Sequence, residues 1–331
     1  MQQWHWAIRV AVGAMLATAV QAKTGDEVLR QCTDSRGNPD LRIARCTALI
    51  QSGKEPTENL ANTFYNRGAA YLAKHDYDHA IQDFDQSIKN HPNSAVAFAD
   101  RGLAYTAKAD YDHGLETELF GGYALGYRAN GEYDRAIQDF SQAIQLDPNF
   151  AVAFANRGLT YHRRGADDRA IQDFGQALQL KPNFASALFN RGIAYHTIGE
   201  YDHAIQDFDQ VIKLDLNNWT AFARRCWVRA TWGQQLPTAL ADCNESLRLR
   251  QNTKALSYRA LVFFRMGEWD GAIRDCDAIL RIDPRAADSL FERGISKLRK
   301  GDTAGGDADI VASKARDPMV EKVFAGYGIT P

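Results

Sequence analysis

Apolar and small residues recur three and four positions apart through most of this chain, and whole phrases return with them. Ala-Ile-Gln-Asp-Phe stands at 80–84, 136–140, 170–174 and 204–208, and the last three copies are evenly spaced. Spacings of three and four put apolar side chains on one face of a helix. A fixed period of this length marks a stack of small units, not one closed domain. A second phrase precedes the first. It reads Asn66-Arg67-Gly68-Ala69-Ala70-Tyr71 and returns at Asp100–Tyr105, Asn156–Tyr161 and Asn190–Tyr195. Gly131, Gly165 and Gly199 are expected to close the first helix of their units. Asp78, Asp134, Asp168 and Asp202 fall in the first turn of the second helix, where the helix dipole favours negative charge. Pro92, Pro148, Pro182 and Pro284 end the second helix, because proline cannot continue the hydrogen-bond ladder. The predicted unit is a helix–turn–helix. Helices of about 13 residues are marginal alone, so their stability must come from stacked neighbours.

The pattern breaks in four places. Gly102 and Gly158 stand more than one period apart but well short of two. This reads as a deletion within Gly114–Gly126 that joins the second helix of one unit to the first helix of the next. Trp232–Pro237 carries one extra residue. Cys243 and Cys276 replace the cassette Phe. Gly305 and Gly306 stand where the last second helix begins, which predicts a frayed end. The expected organisation is a helical cap at 23–60, about eight units over 61–320 with a defect near 110–126, and a tail at 321–331.

The repeated unit resembles the tetratricopeptide repeat family. Phe154, Gly158, Tyr161, Ala170, Phe174, Ala177 and Pro182 match the family pattern throughout, and Phe64, Gly68, Tyr71, Ala80, Phe84, Ser87 and Pro92 nearly so. The resemblance covers roughly 61–320. It implies an all-α, right-handed superhelical solenoid with a concave surface lined by the first helix of each unit.

The stretch 1–22 differs in character. Arg9 precedes an apolar or small run, Val10–Val20, and Val20-Gln21-Ala22 has the spacing of a cleavage site. This reads as a secretory signal peptide at 1–22 with Lys23 as the mature start. A buried N-terminal helix or a retained anchor is the alternative. The run is too short to span a bilayer, so no stable membrane insertion of the mature chain is expected, and a periplasmic or secreted protein is. Cys32 and Cys46 flank the turn-like stretch 34–39, which predicts a disulfide, with two buried thiols as the alternative. Of 331 residues 45% are apolar, and the net charge is −2. That balance provides no field for nucleic acid.

No catalytic motif stands out, and an enzyme is not expected. His79/Asp83 and His203/Asp207 lie one helical turn apart, but both pairs were copied with their cassette and read as solvated. Asp83/Asp85 and Asp207/Asp209 point to different helix faces, which argues against acid/base chemistry. No metal or cofactor is expected. Carried over residue by residue, the resemblance puts Tyr65, Phe189, Trp227, Phe264 and Phe291 in the groove, with Arg128, Arg163, Arg224, Arg265 and Arg299, and His162, Asn190 and His196. Asp100, Glu118, Asp288 and Glu292 are the fewer acidic members. Aromatic residues and arginine are the types that carry binding hot spots. Asn190 and Arg224 occupy two places of the family's two-carboxylate clamp, but Ala155, Leu159 and Thr220 stand at the others, so that clamp is not supported. The expected function is a non-catalytic scaffold of the cell envelope. It would bind an extended peptide or partner helix, with an acidic segment bearing apolar anchors favoured. A glycan-binding or enzyme-accessory module and a self-associating structural protein are the alternatives.

Overall fold

The computed structural model describes residues 32–33, 38–120 and 126–330. The signal-peptide expectation falls outside these. Sixteen helices are seen among the described residues, and no strand. They fall into two compact units divided at Ala166/Asp167.

The first unit holds α1 (Pro39–Ser52), α2 (Thr57–Ala73), α3 (Tyr77–Asn90), α4 (Ala95–Phe120), α5 (Gly126–Leu146) and α6 (Ala151–Arg163). The second begins with α7 (Asp167–Leu180), α8 (Ala185–Thr197), α9 (Tyr201–Leu214) and α10 (Trp219–Trp232). It continues with α11 (Leu236–Leu249), α12 (Thr253–Met266), α13 (Trp269–Ile282), α14 (Ala287–Arg299), α15 (Thr303–Arg316) and α16 (Val320–Gly326). In chain order α2 to α15 give seven first-and-second pairs, one fewer than the eight expected.

Two devices hold the pairs together. The first is close packing of a glycine on the cassette Phe. A Cβ on Gly68 would stand 3.1 Å from the Phe84 ring, and one on Gly192 would stand 3.0 Å from Phe208. Phe84 is 0% and Phe208 1% exposed. The second is an arginine ladder. Arg67, Arg101, Arg191, Arg225, Arg259 and Arg293 each donate through Nε and Nη2 to both oxygens of one buried aspartate. Those aspartates are Asp83, Asp139, Asp207, Asp242, Asp275 and Asp309, at 2.5–2.9 Å. Two-pronged pairing of this kind combines charge with fixed geometry.

The remaining Nη1 reaches back to the preceding helical element. It donates to Thr47 from Arg67, Asp85 from Arg101, Ser141 from Arg157, Asp209 from Arg225, Asn244 from Arg259 and Asp277 from Arg293. From Arg101 onwards the acceptor stands two places past the buried aspartate of the helix before; at 175 that place is a glycine. Arg67, Arg101, Arg225, Arg259 and Arg293 therefore each close their own pair and staple it to the helix before. Asp83 and Asp85 serve different arginines, as do Asp207 and Asp209, so these carboxylates are structural.

The ladder corrects the deletion reading. Arg101 and Asp139 are 38 positions apart, against 16 for Arg67 and Asp83. Gly102 likewise meets Phe140 at 3.1 Å. So α4 and α5 are the two helices of one repeat, lengthened by the difference between those separations. The interval from Gly102 to Gly158 is one period plus an insertion. Gly131 accordingly lies inside α5 and does not close a first helix.

The carboxyl end is also better built than expected. Asp302 accepts from the Gly305 amide at 3.0 Å and starts α15. A Cβ on Gly306 would stand 2.8 Å from the Gly294 carbonyl, so these glycines permit a close helix crossing and do not fray it. Over residues 321–330 the expected tail is no simple tail. Val320, Phe324 and Ile329 are buried, and α16 covers the apolar end of the second unit against Phe291 and Ile295.

Cys32 and Cys46 pair as expected, with Cα atoms 5.0 Å apart. A second disulfide, Cys226–Cys243, spans α10 and α11 with Cα atoms 5.5 Å apart. Cys226 stands where Gly192 does and Cys243 where Phe208 does, so a covalent bond replaces the glycine–phenylalanine contact. The extra residue of this repeat is absorbed in the turn, where Gly233 and Gln235 both have positive φ. Cys276 is a buried free thiol.

Candidate functional site

Four first helices, α8, α10, α12 and α14, follow one another in the second unit, and their equivalent positions recur at one constant interval. The position before the ladder arginine reads Asn190, Arg224, Tyr258 and Glu292. Three places later come Ile193, Trp227, Leu261 and Ile295.

The centre is an aromatic row. Trp227 stacks on Tyr258 with ring centroids 5.6 Å apart and planes 20° apart. The His196 ring lies 3.8 Å from that of Trp227. The Arg224 guanidinium sits 5.1 Å over the Trp227 ring, a cation–π contact. His196 Nε2 is 2.8 Å from the Thr231 hydroxyl. Burial, helped by the Arg224 charge, lowers its pKa to about 4, so the ring is neutral at neutral pH. Burial also raises the Tyr258 hydroxyl.

Next to this row is a cavity of about 160 Å³, walled by Trp227, Tyr258, Phe324 and Tyr327 with Asp288 and Glu292. Glu292 is 3% exposed. Its Oε2 faces the Cys276 thiol at 3.9 Å, and its Oε1 has no hydrogen-bond partner among the described residues. Burial, with Asp288 and Asp275 nearby, raises its pKa to about 8. Asp288 is raised as well, by burial and then by Asp317.

The other expected groove residues fare differently. Phe291 is 0% exposed and packs on Phe324 at 5.0 Å, so it is core. Phe189 packs edge-on against Phe208 at 5.5 Å and Phe264 against Trp269 at 5.1 Å, both at the margins of core clusters. Arg265 donates to the Tyr327 carbonyl at 2.6 Å and Arg299 to the Thr330 carbonyl at 3.3 Å, so both tether the C-terminal segment. In the first unit, Tyr65 donates to Asp100 at 2.6 Å and exposed Arg163 lies 3.5 Å from Asp110. His162 is half-buried on α6, and Asn190 is half-buried on α8. Arg128 is on α5, its side chain outside the described set. A basic inner wall does not form in the second unit: Arg224 faces an aromatic row bordered by Asp288 and Glu292.

The two His/Asp pairs do not converge on a shared ligand. Asp83 and Asp207 are held by Arg67 and Arg191, while His79 turns to Asp76 at 2.9 Å and His203 to Glu200 at 3.4 Å. Among the described residues no group of three or more His, Cys, Asp or Glu is placed to hold a metal. No described helix is long and apolar enough to cross a membrane.

Comparison with known proteins agrees with this architecture. The family model "TPR repeat" matches residues 125–165 and 161–199, and "Tetratricopeptide repeat" matches 61–94 and 185–218. A comparison with curated protein sequences finds no match. Among solved structures, a tetratricopeptide repeat protein from Parabacteroides merdae is similar with a TM-score of 0.59 at 16% identity. The likeness covers 81% of this chain and 99% of that one. A chain of the APC/C hetero-tetramer Cut9-Hcn1 is similar with a TM-score of 0.56 at 14% identity, covering 92% of this chain and 54% of that one. At these identities the likeness is one of fold. With the matched repeats, the paired helices and the fold of these neighbours in agreement, this chain is a tetratricopeptide repeat protein.

Proposed function

We propose that the chain is a non-catalytic protein–protein interaction scaffold of the cell envelope, which takes an extended peptide or a partner helix on the face made by its first helices. The observation that carries this reading is the row His196, Trp227 and Tyr258, joined by Arg224. Most large apolar side chains of the repeats are spent on packing. These rings are only partly buried, and they are the types that anchor interfaces. Ser257, on the same helix as Tyr258, gives a position from which to probe this face. A photo-reactive residue at 257 in the full chain should cross-link a partner in its own cells. The same residue at Val311, which is 68% exposed on a second helix, should not. Cross-links from 311 alone would refute the reading, and cross-links to a second copy of this chain would favour self-association.

Export belongs to the proposal. The signal-like pattern at 1–22 and two cysteine pairs at disulfide spacing support it, since disulfides persist in oxidising compartments. Mass spectrometry of the native protein should find Lys23 at the N-terminus with four of five cysteines oxidised. An intact Met1 with five free thiols would overturn it.

A further inference from the structure

The aromatic row suggests anchors, but it says nothing of what charge they select. The cavity beside it does. Glu292 is enclosed by protein, yet among the described residues no guanidinium or ammonium pairs with it, whereas each ladder aspartate is paired with an arginine. A buried carboxylate with one unpaired oxygen is costly unless a cation or a proton compensates it. The cavity walls include the rings of Trp227, Tyr258, Phe324 and Tyr327, and aromatic faces attract cations through their quadrupoles. A wider cavity of about 360 Å³ shares Ser257 and Asp288 with it, and adds Asp283 and Asp317 against the single cation Lys254. Across the two cavities four carboxylates stand against one lysine. This is the reverse of the acidic partner expected from the arginines of the first helices.

We propose that the cavity between α10, α12, α14 and α16 is a binding site for an alkylammonium group, presented by a lysine side chain or by a free amine. The nitrogen pairs with Glu292 and the methylene chain lies between the aromatic rings. At about 160 Å³ the cavity is well above the roughly 10–15 Å³ that one water needs, and it has room for a chain of a few heavy atoms. The proposal rests on the reading of the first-helix face as a binding face and gives that face its charge preference.

The raised pKa of Glu292 adds a second signature. Asp288 on its own helix, Asp275 and Cys276 on α13, Tyr258 on α12 and Tyr327 just past the end of α16 surround it, with Arg224 the cation that acts on Tyr258. Below about pH 8 the carboxyl holds a proton that the ammonium must displace. Affinity should therefore rise as pH rises towards 8 and level off above it.

The test is isothermal titration calorimetry of the full mature chain with n-butylammonium chloride and, as neutral isostere, n-butanol. At pH 8.5 butylammonium should bind at least tenfold more tightly than butanol, and more tightly than butylammonium itself at pH 6.5. Glu292→Gln, which keeps the shape, should abolish the preference. Asp288→Asn should weaken it about threefold. Equal binding of the two probes by the parent would overturn the proposal without any variant, as would a Glu292→Gln affinity within twofold of the parent. Acetyl-Gly-Lys-Gly-amide binding more tightly than butylammonium assigns the site to a lysine side chain, and the reverse order to a free amine. Loss of the butylammonium preference with intact cross-linking from 257 would remove this site and leave the scaffold standing. A confirmed preference with no partner cross-linked would do the opposite.

Discussion

Asp242→Ala should destabilise the second unit by about 3–5 kcal/mol, the largest effect expected of any single ladder substitution. Asp242 is 4% exposed and accepts from two arginines at once. Arg225 donates to both of its oxygens, and Arg229 Nη1 donates to one of them. Arg229 is itself 7% exposed, and its Nε donates to Gln235 Oε1 at 3.0 Å, a neutral acceptor. Removing the carboxylate leaves the buried Arg229 guanidinium with only a neutral acceptor, where water cannot reach it, and costs Arg225 its fork. Breaking a buried pair on one side costs far more than replacing both partners with apolar groups, because the remaining charge keeps its desolvation penalty. Arg225 retains Asp209 at 2.5 Å, which limits the damage on its side. Urea unfolding followed by circular dichroism should show a lower midpoint, and because repeats are stabilised by their neighbours the loss should extend beyond α10 and α11. Asp209→Ala, which removes a half-buried partner, should cost under about 1 kcal/mol. Equal effects from the two substitutions would mean that the ladder does not hold the repeats together.

Much of this architecture was legible in the chain because the unit repeats its own evidence. Four copies of Ala-Ile-Gln-Asp-Phe fix the helix period, the packing glycine and the prolines between units. The insertion was not legible. The interval from Gly102 to Gly158 fits a shortened double period or a lengthened single one, and the arithmetic alone does not choose. The partner of Arg101 does, because Asp139 and not a nearer carboxylate completes its fork. The second disulfide does carry a signal in the sequence. Cys226 and Cys243 occupy two columns that face each other in the other pairs, but the extra turn residue stretches their separation to 17 and hides the match.

The site was partly legible for the same reason. Column arithmetic placed Arg224, Trp227 and Glu292 on the first-helix face. It could not tell exposed members from buried ones where the C-terminal segment folds back. Phe291, Arg265 and Arg299 look like groove residues by register, and α16 with the residues after it turns them into core and tether. That helix carries no repeat signature, so neither its position nor the cavity it closes is written in the periodicity.

Trp227→Ala should reduce affinity for the physiological partner by about 30-fold or more, the loss of a binding hot spot. Trp227 joins His196, Arg224 and Tyr258 in one surface and walls the cavity that holds Glu292. Truncation would remove the central ring of the row and leave its neighbours without support. Arg163 is the useful contrast. It is exposed, in the other unit, and beside Asp110. Charges of that kind contribute more to steering than to affinity, so Arg163→Ala should cost threefold or less. Folding of both variants is checked first by their urea midpoints. The most direct measurement is then titration calorimetry of each with the partner cross-linked from position 257. A far larger loss for Trp227→Ala than for Arg163→Ala is the result this account predicts. Unchanged affinity in Trp227→Ala would contradict it and move the binding surface off the first helices of the second unit.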